Sequence, residues 1–220
     1  MKTFTFAATP TTENGPTRDH EMRIVVVGAS GTIGRAVVAE LGQRHEIVSA
    51  GRTSGDIRLD LTDANSIRAA LGQAGRFDAL VSATGSVRFA PFAEMETADY
   101  AIGLHNKLMG QVNLVLIGRE FIADGGSFTL VSGVLAHDPI RMGTSASMVN
   151  GALNAFVTAA AIELPRGIRI NAVSPGVVAE SMEAYAPFFR GFEPVPAARV
   201  ALAFAKSVEG AQTGQVYRVV

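Results

Sequence analysis

The chain contains no cysteine and no tryptophan, and only three tyrosines and three lysines among its 220 residues. Without cysteine there are no disulfides, no zinc–thiolate centres and no cysteine nucleophile. Neither sign of charge prevails: 19 Lys and Arg stand against 20 Asp and Glu, a formal net charge of −1. That balance gives no electrostatic pull towards nucleic acid or an anionic membrane, and neither is expected as a partner. Long apolar runs are missing too. Segments such as Ile24–Val27 fall far short of the ~20 residues that cross a bilayer. No basic stretch followed by an apolar one opens the chain, so a cytoplasmic location is expected. What is present is a folded composition, 48% hydrophobic and 18% charged, enough for one well-packed domain.

Residues 1–21 are rich in Thr, Pro, Asn and Gly without a sustained period. They read as a flexible N-terminal extension, or else as a short arm packed on a neighbour, with the domain itself over 22–220. From Met22 onward strand and helix patterns alternate. Ile24–Val27 is a β-branched run suited to a strand buried on both faces. Ile33–Arg44 carries Ile33, Val37, Val38 and Leu41 on one stripe and reads as helix. Further strands are expected at Glu46–Ala50, Ile57–Leu59, Phe77–Ala83, Ser127–Ser132, Ile168–Val173 and Gln215–Val219. Helices are expected from a Thr62 cap to Gln73, over Thr97–Phe121 with Gly125-Gly126 as a stop, over Thr144–Leu164 before Pro165, and over Ala197–Ser207. This alternation builds right-handed βαβ units: an α/β fold, a doubly wound parallel sheet with helices on both faces.

The sharpest motif is Gly28-Ala29-Ser30-Gly31-Thr32-Ile33-Gly34, between the first strand and the first helix. Glycines there permit positive φ and leave no Cβ in the way of a pyrophosphate, and the helix N-terminus offers free N–H groups. In that position the loop predicts dinucleotide binding. The end of the second strand selects the dinucleotide. NAD binders carry a carboxylate about 20 residues beyond the loop, whereas this chain has Gly51-Arg52-Thr53-Ser54. A guanidinium binds a 2′-phosphate that a carboxylate would repel, which points to NADP(H) in preference to NAD(H). Asp60 is a candidate acceptor for the adenine amine, or else a helix-capping carboxylate.

With Asp60-Leu61-Thr62-Asp63, Ser82-Ala83-Thr84-Gly85 and Asn171-Ala172-Val173-Ser174-Pro175-Gly176, the chain from Met22 onward resembles the short-chain dehydrogenase/reductase family. The resemblance implies a single-domain Rossmann fold with a seven-stranded parallel sheet and a site at the carboxyl ends of the strands. It implies cofactor contacts from Gly28, Ser30, Gly31, Thr32, Ile33 and Gly34 in the loop, and from Arg52, Thr53, Asp60 and Leu61 on the adenosine side. It adds Ala83, Thr84, Gly85 and Lys107, then Pro175, Gly176 and Val178, with Pro175-Gly176 beside the nicotinamide. A small-molecule substrate and a homo-oligomer, dimer or tetramer, are implied as well, the two long helices being the usual dimer face. Ser147, Gly151, Ala155 and Ala159 recur every four residues on the second of these helices and allow close helix approach, unless they face the sheet.

The family reduces carbonyls with a Tyr and a Lys four residues apart on the helix after the fifth strand, a Ser ending that strand, and usually an Asn on the preceding helix. A tyrosine beside an ammonium has a lowered pKa and gives the nascent alkoxide its proton. No Tyr-x-x-x-Lys occurs here: Leu104 follows Tyr100, Phe189 follows Tyr185, and Tyr217 lies too near the end. In a gap-free register Ala146 takes the tyrosine's place, Asn150 the lysine's, Gly133 the serine's with Ser132 just before it, and Lys107 the asparagine's. Lys107 and Ser132 are then the catalytic candidates. A buried lysine has a depressed pKa, can act as an acid and can replace the missing charge; a lysine snorkelling to solvent is the alternative. Ser132 and Ser145 either bond a substrate oxygen or are structural. His137 is either a proton donor or an exposed loop residue. Val177–Pro196, with Met182, Tyr185, Phe188 and Phe189, either covers an apolar pocket or packs on the sheet edge or a partner chain. Three functions are compatible with these residues: an NADP(H)-dependent oxidoreductase acting on a small, fairly apolar carbonyl or alcohol; a non-catalytic NADP(H)-binding sensor or partner subunit; and a lyase or isomerase reusing the fold.

Overall fold

The computed structural model describes residues 21–220, so almost all of the expected N-terminal extension lies outside the described residues. Seven parallel strands form one sheet: β1 (Arg23–Val27), β2 (Glu46–Gly51), β3 (Ile57–Arg58), β4 (Phe77–Ser82), β5 (Ile122–Val131), β6 (Arg169–Pro175) and β7 (Val216–Val219), in the order β3-β2-β1-β4-β5-β6-β7. The helices are α1 (Thr32–Leu41), α2 (Ala64–Ala74), α3 (Thr97–Gly103), α4 (Gly110–Gly118), α5 (Thr144–Ala160), α6 (Met182–Tyr185) and α7 (Ala197–Glu209). Alternation along β1 divides the core into two layers. Ile24 and Val26 pack with Val37 and Leu41 of α1 and Val200 and Phe204 of α7. Val25 and Val27 join the opposite layer, with Ile67 and Leu71 of α2, Leu114 of α4, and Leu153 and Val157 of α5. The strand order reverses between β1 and β4, and open α/β sheets bind ligands in the crevice at such a point.

The structure differs from the sequence pattern at several ends. Helix α1 stops at Leu41 because Gly42 caps it, its N–H bonding the Val38 carbonyl. The cap of α2 is Asp63 rather than Thr62; its carboxylate accepts from the Asn65 N–H. The expected helix over 97–121 is broken into α3, a π-helical turn at Leu104–Met109, and α4. Strand β5 starts at Ile122 rather than Ser127, so Gly125-Gly126 lies inside the strand and does not end the helix. There the register against β4 shifts: Phe77 pairs with Ile122 but Ala79 with Ser127. Gly125 takes φ 69°, and a Cβ on Gly126 would stand 2.6 Å from the Asp78 carbonyl oxygen, so the pair serves a bulge. Helix α5 ends at Ala160, short of Pro165. Ala155 and Ala159 are exposed and Gly151 has open space beside it, so that stripe faces away from the sheet.

Towards the amino end of β6, Asn171 is buried with its amide fully used. Its Nδ2 donates to Ser207 Oγ at 3.0 Å and to the Gln212 carbonyl at 2.9 Å, and its Oδ1 accepts the Gln215 N–H at 3.0 Å. Thr129 of β5 shares the Ser207 hydroxyl at 2.7 Å. Removing one member strands the others in the core. Asn171→Leu is expected to lower the unfolding free energy in urea by about 2–4 kcal/mol, while cofactor affinity of the folded fraction is unchanged.

Candidate functional site

Two hollows open along the carboxyl ends of the strands. The first, about 310 Å³, lies between the glycine loop and the end of β2. Gly28, Ser30 and Gly31 form one side, Arg52 and Thr53 the other, and Asp60, Leu61, Ala83 and Thr84 close it. Gly28 adopts φ 85°, and a Cβ on it would come within 2.7 Å of Thr84 Cβ and 2.9 Å of the Ala83 carbonyl oxygen. Loop and β4 turn therefore meet backbone to backbone. Gly34 lines neither hollow: its Cβ would stand 2.0 Å from the Gly28 carbonyl oxygen, so its absence seats α1 under the loop. No side chain caps α1 at Gly31, which leaves its first N–H groups available to an anion. Asp60 Oδ1 accepts from the Thr62 hydroxyl at 2.7 Å and the Thr62 N–H at 2.9 Å. These bonds, with a smaller contribution from the Arg52 charge, hold its carboxyl below the usual carboxylate range. An uncapped helix N-terminus beside a Cβ-free loop, with a guanidinium across the hollow, fits a phosphorylated dinucleotide.

The second hollow, about 460 Å³, continues past the loop. Thr32, Ile33, Ala83 and Gly85 border it on the loop side, with Pro175, Gly176 and Val178 opposite. Its floor is the end of β5, where Lys107, Ser132, Gly133, Ala146 and Asn150 come together. Lys107 leaves the π-helical turn, and its stem crosses Gly85, where a Cβ would lie 2.6 Å from the lysine Cγ. Its Nζ donates to the Ser132 carbonyl at 3.0 Å, so the side chain runs inward and does not snorkel. Some of its surface faces the cavity, but protein surrounds the ammonium, and that desolvation pushes its pKa from 10.5 down to about 8. From the other side, the Asn150 amide lies across Gly133, where a Cβ would come within 2.9 Å of Nδ2. Ser132 and Asn150 are each only 3% exposed, yet Ser132 Oγ and Asn150 Oδ1 have no hydrogen-bond partner.

Two residues that the sequence reading passed over hold this arrangement. Gln111, fully buried, donates Nε2 to the Lys107 carbonyl at 3.2 Å and the Val131 carbonyl at 2.9 Å, and accepts the Val131 N–H at 2.9 Å. Asn106 Oδ1 accepts the Ser86 N–H at 2.7 Å, tying the π-helical turn to the loop after β4. The signal was there: Lys107 and Gln111, four apart, interrupt an otherwise apolar helix face. Ser145 is buried against Gly103 and lines neither hollow. His137 faces a surface groove, 3.4 Å from Asn154, away from the cavity. Of the covering segment, Tyr185 and Phe189 line the cavity and stack edge-on, while Phe188 remains 38% exposed. Both Glu180 carboxylate oxygens accept the Ala197 N–H at 3.0 Å, fastening the segment to the start of α7.

A family model described as enoyl-(acyl carrier protein) reductase matches residues 17–219. The chain belongs to the short-chain dehydrogenase/reductase family. Human L-xylulose reductase is 31% identical over 181 residues, 73% of each chain. An uncharacterized oxidoreductase of Methylorubrum extorquens is 34% identical over 162 residues, 70% of this chain and 62% of that relative. The crystal structure of the Listeria innocua protein lin1944 is 53% identical and superposes with a TM-score of 0.89, covering 90% of this chain and 100% of that one. As a member of the short-chain dehydrogenase/reductase family, the chain has the seven-stranded Rossmann sheet of an oxidoreductase.

The depressed pKa of Lys107 sets a pH dependence of stability. Because the folded-state value lies below the unfolded one, the unfolded chain binds more protons between about pH 8 and 10.5, and stability contributed by this site rises with pH across that window. Lys107→Met removes the desolvated charge. Its melting temperature at pH 7 is expected at or above the parent's, with the parent gaining on the variant from pH 8 upward. A constant gap across the window contradicts this reading.

Proposed function

We propose that the chain is an NADP(H)-dependent oxidoreductase acting on a small, fairly apolar carbonyl or alcohol, with Lys107 and Ser132 in the catalytic roles. The observation that carries this reading is the open cavity of about 460 Å³ in which both residues border the same space as Pro175-Gly176. The glycine loop, from Gly28 through Ser30 and Gly31 to Thr32 and Ile33, would hold the pyrophosphate. Arg52 and Thr53 would take the 2′-phosphate, Asp60 and Leu61 the adenine. Ala83, Thr84, Gly85, Pro175, Gly176 and Val178 would flank the nicotinamide half.

Bound there, the reduced nicotinamide supplies a hydride. The chain must supply a proton at oxygen. Lys107, with a pKa of about 8, is an acid matched to neutral pH and regains its proton from solvent. The unpartnered Ser132 hydroxyl donates to the same oxygen. Tyr185 and Phe189 give the cavity an aromatic wall for an apolar substrate. A missing general acid costs typically about 10²–10⁴ in rate, so a lysine acid need only recover part of that. Exposed Met109 and Leu116 on the α4 side and Met148 and Ile162 on the α5 side support a homo-oligomer built on those faces.

Calorimetric titration tests the reading. NADPH is expected to bind at least about tenfold tighter than NADH, and Arg52→Ala is expected to erase most of that preference. Equal binding of both contradicts the role of Arg52. Tight NADPH binding without turnover of any carbonyl would favour a sensor or partner subunit, and binding of neither would overturn both.

A further inference from the structure

We propose that the substrate is a 2-oxo carboxylate with an apolar side chain, or the matching 2-hydroxy acid in the reverse direction, with its carboxylate paired to Lys107. The proposal rests on the oxidoreductase reading above and narrows its substrate class. Among the residues lining the cavity Lys107 is the one charged side chain, and no Asp or Glu there balances it. Its hydrogen bond goes to a neutral group, the Ser132 carbonyl. A desolvated ammonium without a counter-charge is costly, and a ligand that brings a negative group removes that cost. The 2′-phosphate of the dinucleotide does not fill this need, because Arg52 and Thr53 border the other hollow.

The number of donors narrows the class further. An ammonium has three N–H groups, and one is spent on Ser132. In a 2-oxo acid the carbonyl oxygen and one carboxylate oxygen lie side by side, so the remaining two N–H groups meet both. Lys107 then neutralises the carboxylate and touches the oxygen that must be protonated. The neighbouring polar groups are neutral, and the Ser132 hydroxyl and the Asn150 Oδ1 have no hydrogen-bond partner. The Asn150 amide lies over Gly133, and its Nδ2 is a donor for the same acid group. The rest of the substrate meets Val87, Phe89, Leu135, Val177, Tyr185 and Phe189, an apolar and partly aromatic wall. Charge at one end and apolar surface at the other describe a small hydrophobic oxo acid better than a neutral aldehyde.

The test compares phenylglyoxylate with its uncharged methyl ester, which keeps the ketone and loses the charge. Binding is measured by calorimetry to the full chain, with and without NADPH, and to Lys107→Met. The acid is expected to bind at least about tenfold tighter than the ester, and Lys107→Met is expected to abolish the difference, weakening the acid far more than the ester. Equal or tighter binding of the ester, an unchanged preference in the variant, or no binding of either at millimolar concentration overturns the proposal. If the variant fails to fold, the acid–ester comparison on the unaltered chain decides alone. NADPH binding without a preference for the acid overturns the substrate class and spares the oxidoreductase reading. A preference for the acid without NADPH binding does the reverse.

Discussion

The site depends on how the side chain of Gln111 is joined to the last residue of β5. Its amide makes a two-way bond with the Val131 backbone, extending the ladder by one side chain, and it also takes up the Lys107 carbonyl. Lys107 lies in the π-helical turn at Leu104–Met109, so this bond ties the turn to the strand end. With the turn held against the strand end, Lys107 points into the cavity and reaches the Ser132 carbonyl. Gly85 leaves the room its stem needs. A regular helix through the same residues would carry Lys107 to a different face, since each residue turns a helix by about 100°.

The same strand end is shaped from the opposite side by an exchange of bulk between neighbouring positions. Gly133 has no side chain, and the Asn150 amide lies over it. A Cβ at 133 would push against that amide, and the Asn150 side chain would have to move to make room. Ala146 leaves space at the cavity wall where a larger residue would stand. Fold membership therefore accounts for the hollow at the glycine loop, while the character of the second cavity follows from its own side chains.

Most of the framework was legible because it follows from periodicity and from glycine. The β-branched run at Ile24–Val27 predicts a strand buried on both faces, and its residues do divide between two core layers. The loop from Gly28 to Gly34 is read from its place between strand and helix, and at Gly34 the missing Cβ lets the helix pack against the loop. Less legible were features that leave composition unchanged. A π-helical turn inserts into an apolar helix without a breaker residue, so 97–121 reads as one helix. Gly125-Gly126 looks like a helix stop, but at a β-bulge positive φ and close backbone approach have the same residue requirement. Whether Lys107 reaches solvent or the core depends on that helical turn, which no local pattern reports, and on Gln111, whose polar side chain four residues on is the one local sign. His137 lies just past β5 and still faces away, because the short 3₁₀ turn at Val134–Ala136 carries it past the cavity.

The central claim is that the Lys107 ammonium is desolvated at the floor of the cavity, and the scarcity of lysine makes it directly measurable. Lys2, Lys107 and Lys206 are the only lysines, so a chain labelled with ¹³C at the lysine ε-carbon gives three signals, and Lys107→Met identifies the one of interest. Followed by NMR as pH is raised, the Lys107 signal is predicted to titrate with a midpoint near 8. A midpoint at the ordinary 10.5 would contradict the account, because it would return the ammonium to water and leave the cavity without its acid.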